Sequence, residues 1–257
     1  MRISTINLAG ASSLVKKRMI FDYITSNKLD VVVLQELSFS NWTLVEDRFL
    51  FLGNEGPFGR GTGLLVRKDL EIVNILMEPE GRILSAQVEG IKIVAIYAPS
   101  GKAKQDLRET FFRETMPPYC LPVSENTIIV GDFNAVESVS DKNIAGKRKK
   151  SAVECKSLKD AMSALGMHDV WRKKRGNEEG HTFFHKGGSS RIDRFYASHS
   201  LLNDISSISV TPVCFTDHCI VQIELHTGQR KATRDHPLGK PKSFLWKLNT
   251  AVLEEDR

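Results

Sequence analysis

Two short groups of polar residues stand where the sequence indicates that strands end. Residues 131–134, which include Asp132 and Asn134, follow the apolar run 127–130, and Asp217 and His218 follow another β-rich stretch. Because alternate residues of a strand face the same side of a sheet, Asp132 and Asn134 are predicted to point the same way. Together with the adjacent Asp217 and His218, they could complete a site for a charged phosphoryl group.

Glu36 is a candidate metal ligand. It follows the apolar run 31–34 and would therefore emerge at the end of a strand. A carboxylate there suits a hard divalent cation such as Mg²⁺, which takes few protein oxygens together with water and substrate phosphate. The alternative is a surface glutamate that begins a loop, and for Glu36 taken alone this is the stronger interpretation.

Three other residues could contribute to the same chemistry. The Asn7 amide could bind a phosphate oxygen or a metal-bound water, or it could shape the turn before Gly10. Tyr97 could donate its hydroxyl to a phosphate, although ordinary half-buried tyrosines are more common. A catalytic His218 needs a carboxylate that orients its ring, and Asp193 is placed on a strand that could supply one. Otherwise His218 is a structural histidine.

Length and composition are those of a globular chain with a large core. The 257 residues are 41% hydrophobic and 26% charged, and no apolar run could span a bilayer. The N-terminus enters a strand-like pattern at once, so we expect synthesis in the cytosol without a secretory signal, and no membrane partner. The four cysteines lack zinc-site spacing and are expected to be buried free thiols.

The chain carries a net charge of +5 with a pI near 9.0, which favours a polyanionic partner. Basic residues cluster at 147–150 and 172–175. Most such clusters are solvated loops, but the candidate site favours phosphate contact for at least one of them. Residues 59–63 are glycine-rich and are followed by a strand-like run, whereas a nucleotide-binding loop precedes a helix. We therefore reject a nucleotide site there.

Strand-length apolar runs and helix-period segments mingle along the chain. Strands are predicted at 3–8, 31–34, 63–66, 72–76, 83–88, 91–97, 127–130, 182–184, 191–196 and 220–225, and helices at 13–27, 104–116, 152–165 and 201–205. Many strands follow one another without a helix between them, which predicts mixed sheets. From residue 227 the composition becomes that of a basic linker or tail, so we predict domains at 1–226 and 227–257.

The order of the strand-end residues resembles that of the endonuclease/exonuclease/phosphatase superfamily. The resemblance covers roughly residues 1–225 and rests on six short strings: Asn7, Gln35-Glu36, Tyr97-Ala98-Pro99, Gly131-Asp132-Phe133-Asn134, Arg191-Ile192-Asp193 and Thr216-Asp217-His218. It implies a four-layer α/β sandwich, in which two mixed β-sheets pack face to face and are flanked by helices.

Within that superfamily the chain looks like the apurinic-like endonuclease domain of LINE-type (non-LTR) retrotransposons. Residues 169–172 and 181–184 are similar to the segment before the Ser-Arg-Ile-Asp strand of these elements, and residues 246–249 are similar to their junction with reverse transcriptase. The resemblance implies a DNA endonuclease dependent on Mg²⁺ (or Mn²⁺) that nicks double-stranded target DNA in the nucleus. The resulting 3′-hydroxyl would prime a reverse transcriptase of the same polyprotein.

The resemblance also assigns residues to the metal. Glu36 would be the main ligand, with Asn7 beside it, and Asp217 would serve the metal site or the leaving group. Ala9 stands where many relatives have a second Asn or Asp, so this end of the site has fewer polar ligands.

Other residues are assigned to the reaction itself. Asp132 would activate the attacking water, and Asn134 would orient that water or the phosphate. His218, held by Asp193, would stabilise the developing charge.

Three residues are assigned to the phosphate of the substrate. Tyr97 and Thr182 would contact the scissile phosphate. Ser100 stands where relatives usually place Asn, so its hydrogen bond to the substrate is expected to be shorter or missing.

The turn 185–190 is a candidate for DNA contact, with Lys186 and Arg191 as its cationic members. The alternative is a plain hairpin turn, to which Gly187 and Gly188 are well suited.

Three other functions compete with the retrotransposon endonuclease. They are an abasic-site repair endonuclease, a lipid or inositol phosphatase of the same fold, and a binding module without catalysis. Ser100 and the tail disfavour the first, the basic clusters and the tail disfavour the second, and the presence of both Asp132 and His218 disfavours the third.

Overall fold

The computed structural model describes residues 1–10, 13–37, 47–57, 59–144 and 155–226. Residues 1–226 form one compact unit. The basic cluster at 147–150 and the tail from residue 227 lie outside the described residues, so the division into two domains stays a prediction. None of the helices in the described ranges is long and apolar enough to cross a membrane.

The described residues form fifteen strands. Their bounds are β1 Arg2–Asn7, β2 Val31–Gln35, β3 Phe49–Glu55, β4 Gly61–Arg67, β5 Ile72–Met77, β6 Ile83–Val88, β7 Ile91–Tyr97, β8 Thr127–Asp132, β9 Lys142–Ile144, β10 His168–Asp169, β11 Phe183–His185, β12 Gly188–Ser190, β13 Asp193–Ala197, β14 Ile205–Thr211 and β15 Ile220–Leu225.

Six α-helices accompany the strands in the described ranges. Their bounds are α1 Leu14–Ser26, α2 Gln105–Thr110, α3 Pro117–Cys120, α4 Lys156–Ala164, α5 Val170–Arg175 and α6 His199–Asp204. A wider π turn, Phe111–Thr115, joins α2 to α3, and single 3₁₀ turns lie at Lys102–Lys104 and Val139–Asp141. Ser13 begins α1 because its hydroxyl accepts a hydrogen bond from the Lys16 amide.

Two six-stranded sheets form the centre of the fold. The first has the order β14-β15-β1-β2-β4-β3 and the second has the order β10-β13-β8-β7-β6-β5. Strands β1 and β2 are parallel, as are β7 and β8, whereas the other neighbours with assigned pairings are antiparallel. Both sheets are therefore mixed, as predicted. A small third sheet, β11-β12-β9, lies at residues 142–144 and 183–190.

The pattern of burial explains the layers. In β2, Val31 and Val33 pack in the core between the two sheets, whereas Val32 and Leu34 pack in a second core with Ile20 of α1. Successive residues of a strand face opposite sides, so a strand covered on both faces is apolar throughout. The other sheet is covered in the same way by residues 111–120 and by α4. The four-layer α/β sandwich is thus confirmed.

The two sheets bring several strand ends to one edge of the sandwich. Asn7 at the end of β1 is paired with Gln35, which precedes Glu36. In the second sheet, Asp132 at the end of β8 is paired with Tyr97 of β7 and with Asp193 of β13. Carboxyl ends of parallel strands are the usual place for ligands in α/β folds. The topology therefore assembles the candidate residues.

Seven strands and helices of the described residues were not predicted from the sequence, namely β3, β9, β10, β12, β14, α3 and α5. Strands β3 and β14 have irregular burial, with exposed residues in both, so they lack the apolar pattern of the other strands. Helix α5 is six residues long and mostly basic. The cysteines are free, as expected, but Cys214 is exposed and Cys155 is half-buried, so the prediction that all are buried is wrong for these two.

Candidate active site

Asp132 lies at the centre of the site and is 1% exposed. The preceding Gly131 has φ +141°, and a Cβ there would lie 2.0 Å from the Ile96 carbonyl oxygen, so β8 can approach β7 only with glycine at this position. The carboxylate accepts hydrogen bonds from the Asn134 amide nitrogen at 2.8 Å and from Asn7 Nδ2 at 2.8 Å. Burial and, next, the nearby Asp193 raise the pKa of Asp132 to about 7.

His218 and Asp193 form a buried pair beside Asp132. His218 Nδ1 lies 2.9 Å from Asp193 Oδ2. Burial opposes the charged form of the ring, but Asp193, and then Asp132 and Asp217, outweigh this effect and raise the pKa of His218 to about 9. Potential ligand atoms of Asp132, Asp193 and His218 lie within 4.8 Å of one another. Two carboxylates and a cationic ring therefore share one small volume.

Thr182 lies against Asp193 and holds its carboxylate. Its hydroxyl donates to Asp193 Oδ2 at 2.6 Å and accepts from the amide nitrogens of Ile192 and Asp193 at 3.1 and 3.0 Å. The residue is fully buried. The prediction that Thr182 contacts the scissile phosphate is therefore wrong, because every polar contact of the hydroxyl is directed at the Asp193 segment.

Glu36 lies on the other side of the site, next to Tyr97. Its Oε1 accepts hydrogen bonds from the Tyr97 hydroxyl at 3.0 Å and from Asn7 Nδ2 at 3.2 Å, and its Oε2 accepts from Arg60 Nη1 at 2.8 Å. Burial and the Glu36 charge raise the pKa of Tyr97 to about 12, whereas a hydrogen bond with Ser100 opposes this rise. Tyr97 is thus a protonated donor in the site.

Asn7 links the two carboxylates of the site. Its Nδ2 donates to both Glu36 and Asp132, whereas its Oδ1 accepts from the Ala9 amide nitrogen at 2.9 Å. The prediction of Asn7 as a metal ligand is not supported by this geometry, because its oxygen is already engaged and its NH₂ group faces the site. Asn7 instead fixes the separation of Glu36 and Asp132.

Three non-glycine residues at the site have a left-handed backbone. The φ angles are +46° at Ala9, +52° at Glu36 and +49° at Asn134. This conformation costs an L-residue roughly 1–2 kcal/mol, and such residues concentrate at functional sites, where the surrounding structure enforces them. The sheet edge therefore holds Glu36 and Asn134 in place at the expense of stability.

The residues present fit a hard divalent cation. Glu36 and Asp132 offer carboxylate oxygens, which Mg²⁺ prefers, and no soft sulfur ligand belongs to the described cluster. In addition, Asp193 Oδ1 is buried without a hydrogen-bond partner among the described residues. Glu36 would hold the cation, and Asp132 lies on the other side of the Asn7 amide.

Asp217 lies at the rim of the site. It is exposed, and the preceding Thr216 hydroxyl donates to the Asn7 carbonyl at 2.9 Å, which anchors this loop to the end of β1. Lys16 of α1 is near: burial lowers its pKa, and the charges of Asp217 and Glu36 partly offset that effect. Asp217 is therefore open to a cation or a leaving group, as its predicted roles require.

Arg191 does not face DNA. It is 2% exposed, its Nε donates to Asp141 Oδ1 at 2.8 Å, and its Nη2 lies 2.8 Å from Asp169 Oδ2. Arg194 is also buried and binds both acids, and Arg172 joins them at Asp141. The prediction of Arg191 as a DNA-binding residue is wrong, because the arginine belongs to a buried ion network below the site.

Lys186, by contrast, is exposed at the tip of the hairpin formed by β11 and β12. Phe184 on the same hairpin is 52% exposed, and the Phe183 ring lies 4.7 Å from the His218 ring. The hairpin thus packs against the candidate catalytic histidine and presents an apolar ring and a cation to solvent. Sequence reasoning proposed the hairpin but missed the contact of Phe183.

Two further residues near the site were missed. Asp141 carries no motif, and nothing in the sequence indicated that Arg191 and Arg194 are buried beside it. Arg60 belongs to the glycine-rich segment that we considered only as a nucleotide loop; its position just before β4, the neighbour of β2, could have indicated it.

The site geometry agrees with comparisons with known proteins. The sequence profile of the endonuclease/exonuclease/phosphatase family matches residues 4–218. The chain belongs to this family. The match confirms the resemblance at the level of the superfamily, and it agrees with the predicted class of enzyme, a phosphodiesterase.

The individual relatives have low sequence identity to this chain. The chain is 24% identical over 271 residues to the Transposon TX1 uncharacterized 149 kDa protein of Xenopus laevis, which covers 99% of this chain but 20% of that protein. The chain therefore spans one fifth of the length of this relative. An AP endonuclease from Archaeoglobus fulgidus has a TM-score of 0.70 with 18% identity, covering 88% of this chain and 99% of that one.

A second solved structure has the same fold. It is the endonuclease domain of TRAS1, a telomere-specific non-LTR retrotransposon, with a TM-score of 0.64 and 17% identity, covering 87% of this chain and 97% of that one. At these identities the likeness concerns the fold.

Proposed function

We propose that residues 1–226 form a DNA endonuclease that hydrolyses one strand of double-stranded DNA and leaves a 3′-hydroxyl and a 5′-phosphate. The observation that carries this proposal is the meeting of Glu36, Asp132 and the pair of His218 and Asp193 at one edge of the sandwich. Hydrolysis of a phosphodiester needs a base for the attacking water and positive charge around the phosphoryl oxygens. The site offers both.

Asp132 acts as the general base for water. A base works best when its pKa lies near the operating pH, and the pKa of Asp132 is raised to about 7. The Asn134 amide nitrogen, 2.8 Å from Asp132 Oδ1, fixes the orientation of the carboxylate. Asn134 Nδ2 is held by the Ala98 carbonyl at 3.0 Å, so the group beside the water is rigid.

His218 supplies positive charge beside Asp132. Its raised pKa, about 9, keeps the ring protonated at neutral pH, and Asp193 fixes the ring through Nδ1. The charged ring stabilises the phosphoryl oxygens as negative charge develops. Tyr97 is protonated and donates its single hydroxyl proton to Glu36 in the substrate-free site; it would have to turn from Glu36 to donate to a phosphate oxygen.

A divalent cation, Mg²⁺ or Mn²⁺, held by Glu36 with Asp217 near by, would neutralise charge on the phosphate and on the leaving oxygen. Asn7 keeps Glu36 and Asp132 apart at a fixed distance. The water-activating and the cation-binding carboxylates are thereby separated within one site.

Two surfaces are proposed for the DNA. The hairpin tip with Phe184 and Lys186 is exposed next to His218, which suits insertion into or contact with a groove. The basic cluster at 147–150, outside the described residues, is the second candidate. Replacing residues 185–188 with a two-residue turn of Asn and Gly should change the preferred cleavage positions, and unchanged positions would remove the hairpin from the interface.

The biological setting proposed is retrotransposition. The relative from Xenopus laevis is named as a transposon protein and extends far beyond this chain, and the TRAS1 domain comes from a non-LTR retrotransposon. In that setting the 3′-hydroxyl of the nick primes reverse transcription by an enzyme of the same polyprotein, in the nucleus. The tail from residue 227 would lead toward that enzyme.

The test is nicking of supercoiled plasmid in Mg²⁺, with the new ends mapped. Wild type is compared with Asp132→Asn and with Asp160→Asn, an exposed aspartate of α4 that serves as the matched control. We expect 3′-hydroxyl nicks with wild type and the control, and none with Asp132→Asn or in EDTA. Nicking that persists in Asp132→Asn would overturn the assignment of the base.

A parallel arm uses a duplex with one abasic site. Cleavage there well above that of intact duplex would favour the alternative, an abasic-site repair endonuclease, whose fold is shared by the enzyme from Archaeoglobus fulgidus. Comparable cleavage of both substrates favours the retrotransposon function.

A further inference from the structure

Arg60 is placed at the site by the sheet itself. It immediately precedes β4, whose residue Thr62 is paired with Gln35, the neighbour of Glu36. The Leu37 amide nitrogen donates to the Gly61 carbonyl at 3.4 Å, and the Gly56 amide nitrogen donates to the Arg60 carbonyl at 3.1 Å. The backbone that carries Arg60 is therefore fixed beside the chain that carries Glu36.

Glycine at position 61 makes this approach possible. A Cβ on Gly61 would lie 1.9 Å from the Asn54 carbonyl oxygen, so β3 and β4 can close only without a side chain there. The Arg60 side chain has no such restraint, because it is 59% exposed. A rigid backbone thus presents a movable guanidinium to the cleft.

The guanidinium is bound to the carboxylate that the proposed function gives to the cation. Arg60 Nη1 lies 2.8 Å from Glu36 Oε2, whereas Oε1 is engaged by the neutral donors Tyr97 and Asn7. Glu36 itself is 16% exposed, so the pair is formed at the mouth of the site. A divalent cation at Oε2 would meet a positive charge already bound there, and like charges at contact distance repel.

The geometry also gives Arg60 a second partner. A guanidinium binds phosphate oxygens through two parallel N–H donors, which makes arginine well suited to a DNA backbone. Once a cation occupies Glu36, the exposed Arg60 side chain loses its carboxylate partner at the place where the substrate phosphates must lie. Its charge then faces the DNA.

We infer that Arg60 exchanges partners during the binding cycle. In the DNA-free protein it occupies Glu36 and competes with the divalent cation; after the cation binds, it contacts a DNA phosphate next to the scissile one. The inference rests on the proposed function and extends it, because it makes cation binding and DNA binding support each other.

The first test measures Mn²⁺ binding to the DNA-free protein by calorimetry, which requires no catalysis. Arg60→Gln removes the charge, Arg60→Lys keeps it without the fork of donors, and Arg2→Gln breaks a comparable exposed pair with Glu224 at the far end of β1. We expect Arg60→Gln to bind Mn²⁺ about three- to tenfold more tightly than wild type, as expected for loss of an exposed pair and its repulsion.

The two control variants have defined outcomes in this assay. Arg60→Lys and Arg2→Gln should bind Mn²⁺ as wild type does. Unchanged Mn²⁺ affinity in Arg60→Gln, with circular dichroism equal to that of wild type, overturns the competition of Arg60 with the cation. The same holds if Arg2→Gln tightens Mn²⁺ binding equally, because the effect would then be one of net charge.

The second test measures DNA affinity against salt in Mg²⁺, with Asp132→Asn in every variant so that the duplex stays intact. Adding Arg60→Gln should weaken binding and lower the slope of log affinity against log salt by about one, the loss of one phosphate contact. Adding Arg60→Lys should preserve the slope. An unchanged slope in Arg60→Gln overturns the phosphate contact.

Failure of this inference differs from failure of the proposed function. If wild type nicks no DNA but Arg60→Gln still binds Mn²⁺ more tightly, the competition stands and the endonuclease proposal falls. If wild type nicks DNA and neither affinity responds to Arg60→Gln, the reverse holds.

Discussion

Two clusters of aspartate lie in the same part of the sandwich, and the pKa values of their central carboxyl groups are shifted in opposite directions. In the site, burial and Asp193 raise the pKa of Asp132 to about 7. In the ion network below it, burial also disfavours a charged Asp141, but Arg194 and Arg191 outweigh burial and hold the pKa of Asp141 well below its usual range. Both carboxylates are about 1% exposed.

The two carboxylates differ in their hydrogen-bond and ion-pair partners. Asp141 accepts charged hydrogen bonds from Arg172, Arg191 and Arg194, which satisfy both of its oxygens. Asp132 accepts from neutral amides of Asn7 and Asn134, with His218 as its nearby cation. Full pairing makes a carboxylate structural, whereas neutral donors leave its charge poorly compensated and available for proton transfer.

Backbone geometry follows the same division. Glu36, Asn134 and Ala9 of the site have positive φ, and none of the acids or arginines of the network does. Strain of this kind persists where the surrounding structure enforces it. The network anchors Asp193 through its neighbours on β13, so the stable cluster supports the strained one.

The prediction with the largest expected effect concerns the nicking rate after substitution of Asp132. Asp132→Asn should reduce the nicking rate by about 10²–10⁴-fold, since it removes the proposed general base. Its free energy of unfolding should change little, because the lost charge was poorly compensated. Single-turnover nicking and urea unfolding measure the two quantities, and a variant that unfolds far more easily than wild type contradicts the comparison.

The second prediction is a loss of stability without a loss of activity. Asp141→Asn should lower the free energy of unfolding by about 3–5 kcal/mol, because Arg191 and Arg194 stay buried without their carboxylate. Any folded fraction should still nick DNA. Urea unfolding at neutral pH provides the measurement, with the exposed Asp160→Asn as control; a loss below about 1 kcal/mol would show that the network is weakly coupled.

The third prediction concerns pH in the cation-free protein. The folded pKa of His218, about 9, lies above the ordinary value of 6.5, so the pair with Asp193 stabilises the fold fully below pH 6.5. This contribution, about 1–3 kcal/mol, is lost as pH rises through 9. In EDTA, the stability difference between wild type and His218→Gln should shrink between pH 6.5 and 10. A difference that grows with pH has the wrong sign.

The smallest effect tests the support of Asp193. Thr182→Val preserves shape but removes the hydroxyl that donates to Asp193 Oδ2. The turnover rate should fall by about tenfold with KM nearly unchanged, and stability should fall by about 1–2 kcal/mol, because the amides of Ile192 and Asp193 lose an acceptor. Thr182→Ser should restore both. A raised KM alone would instead indicate substrate contact.

Much of the site could be predicted because strand ends can be recognised in the sequence. Apolar runs before Glu36 and Asp132 predicted β2 and β8, which belong to different sheets. The structure brings the ends of both strands together at one edge of the sandwich, where Asn7 Nδ2 donates to both carboxylates. The partner of His218 was also predicted, because Asp193 stands on a predicted strand. In the structure Asp193 Oδ2 lies 2.9 Å from His218 Nδ1. The assigned roles of these residues in the reaction stay predictions.

The errors arise where a residue's partner lies far away in the chain, because the sequence reports neither burial nor contact partners. Arg191 beside a glycine turn has the pattern of an exposed cation, yet Asp141 and Asp169 bind it in the interior. Thr182 was the right residue with the wrong partner. Arg60 had no motif of its own, and only the pairing of β2 with β4 places it at Glu36.

The sequence by itself determined the residue types of the site, their order and the apolar runs that form strands and helices, because these depend on local periodicity and on the amide and carboxylate chemistry of single residues. The tertiary structure alone decided which buried acids form ion pairs and which have a raised pKa. Coulomb interactions and desolvation depend on distances between residues far apart in the chain, and those distances exist only after the sheets have packed.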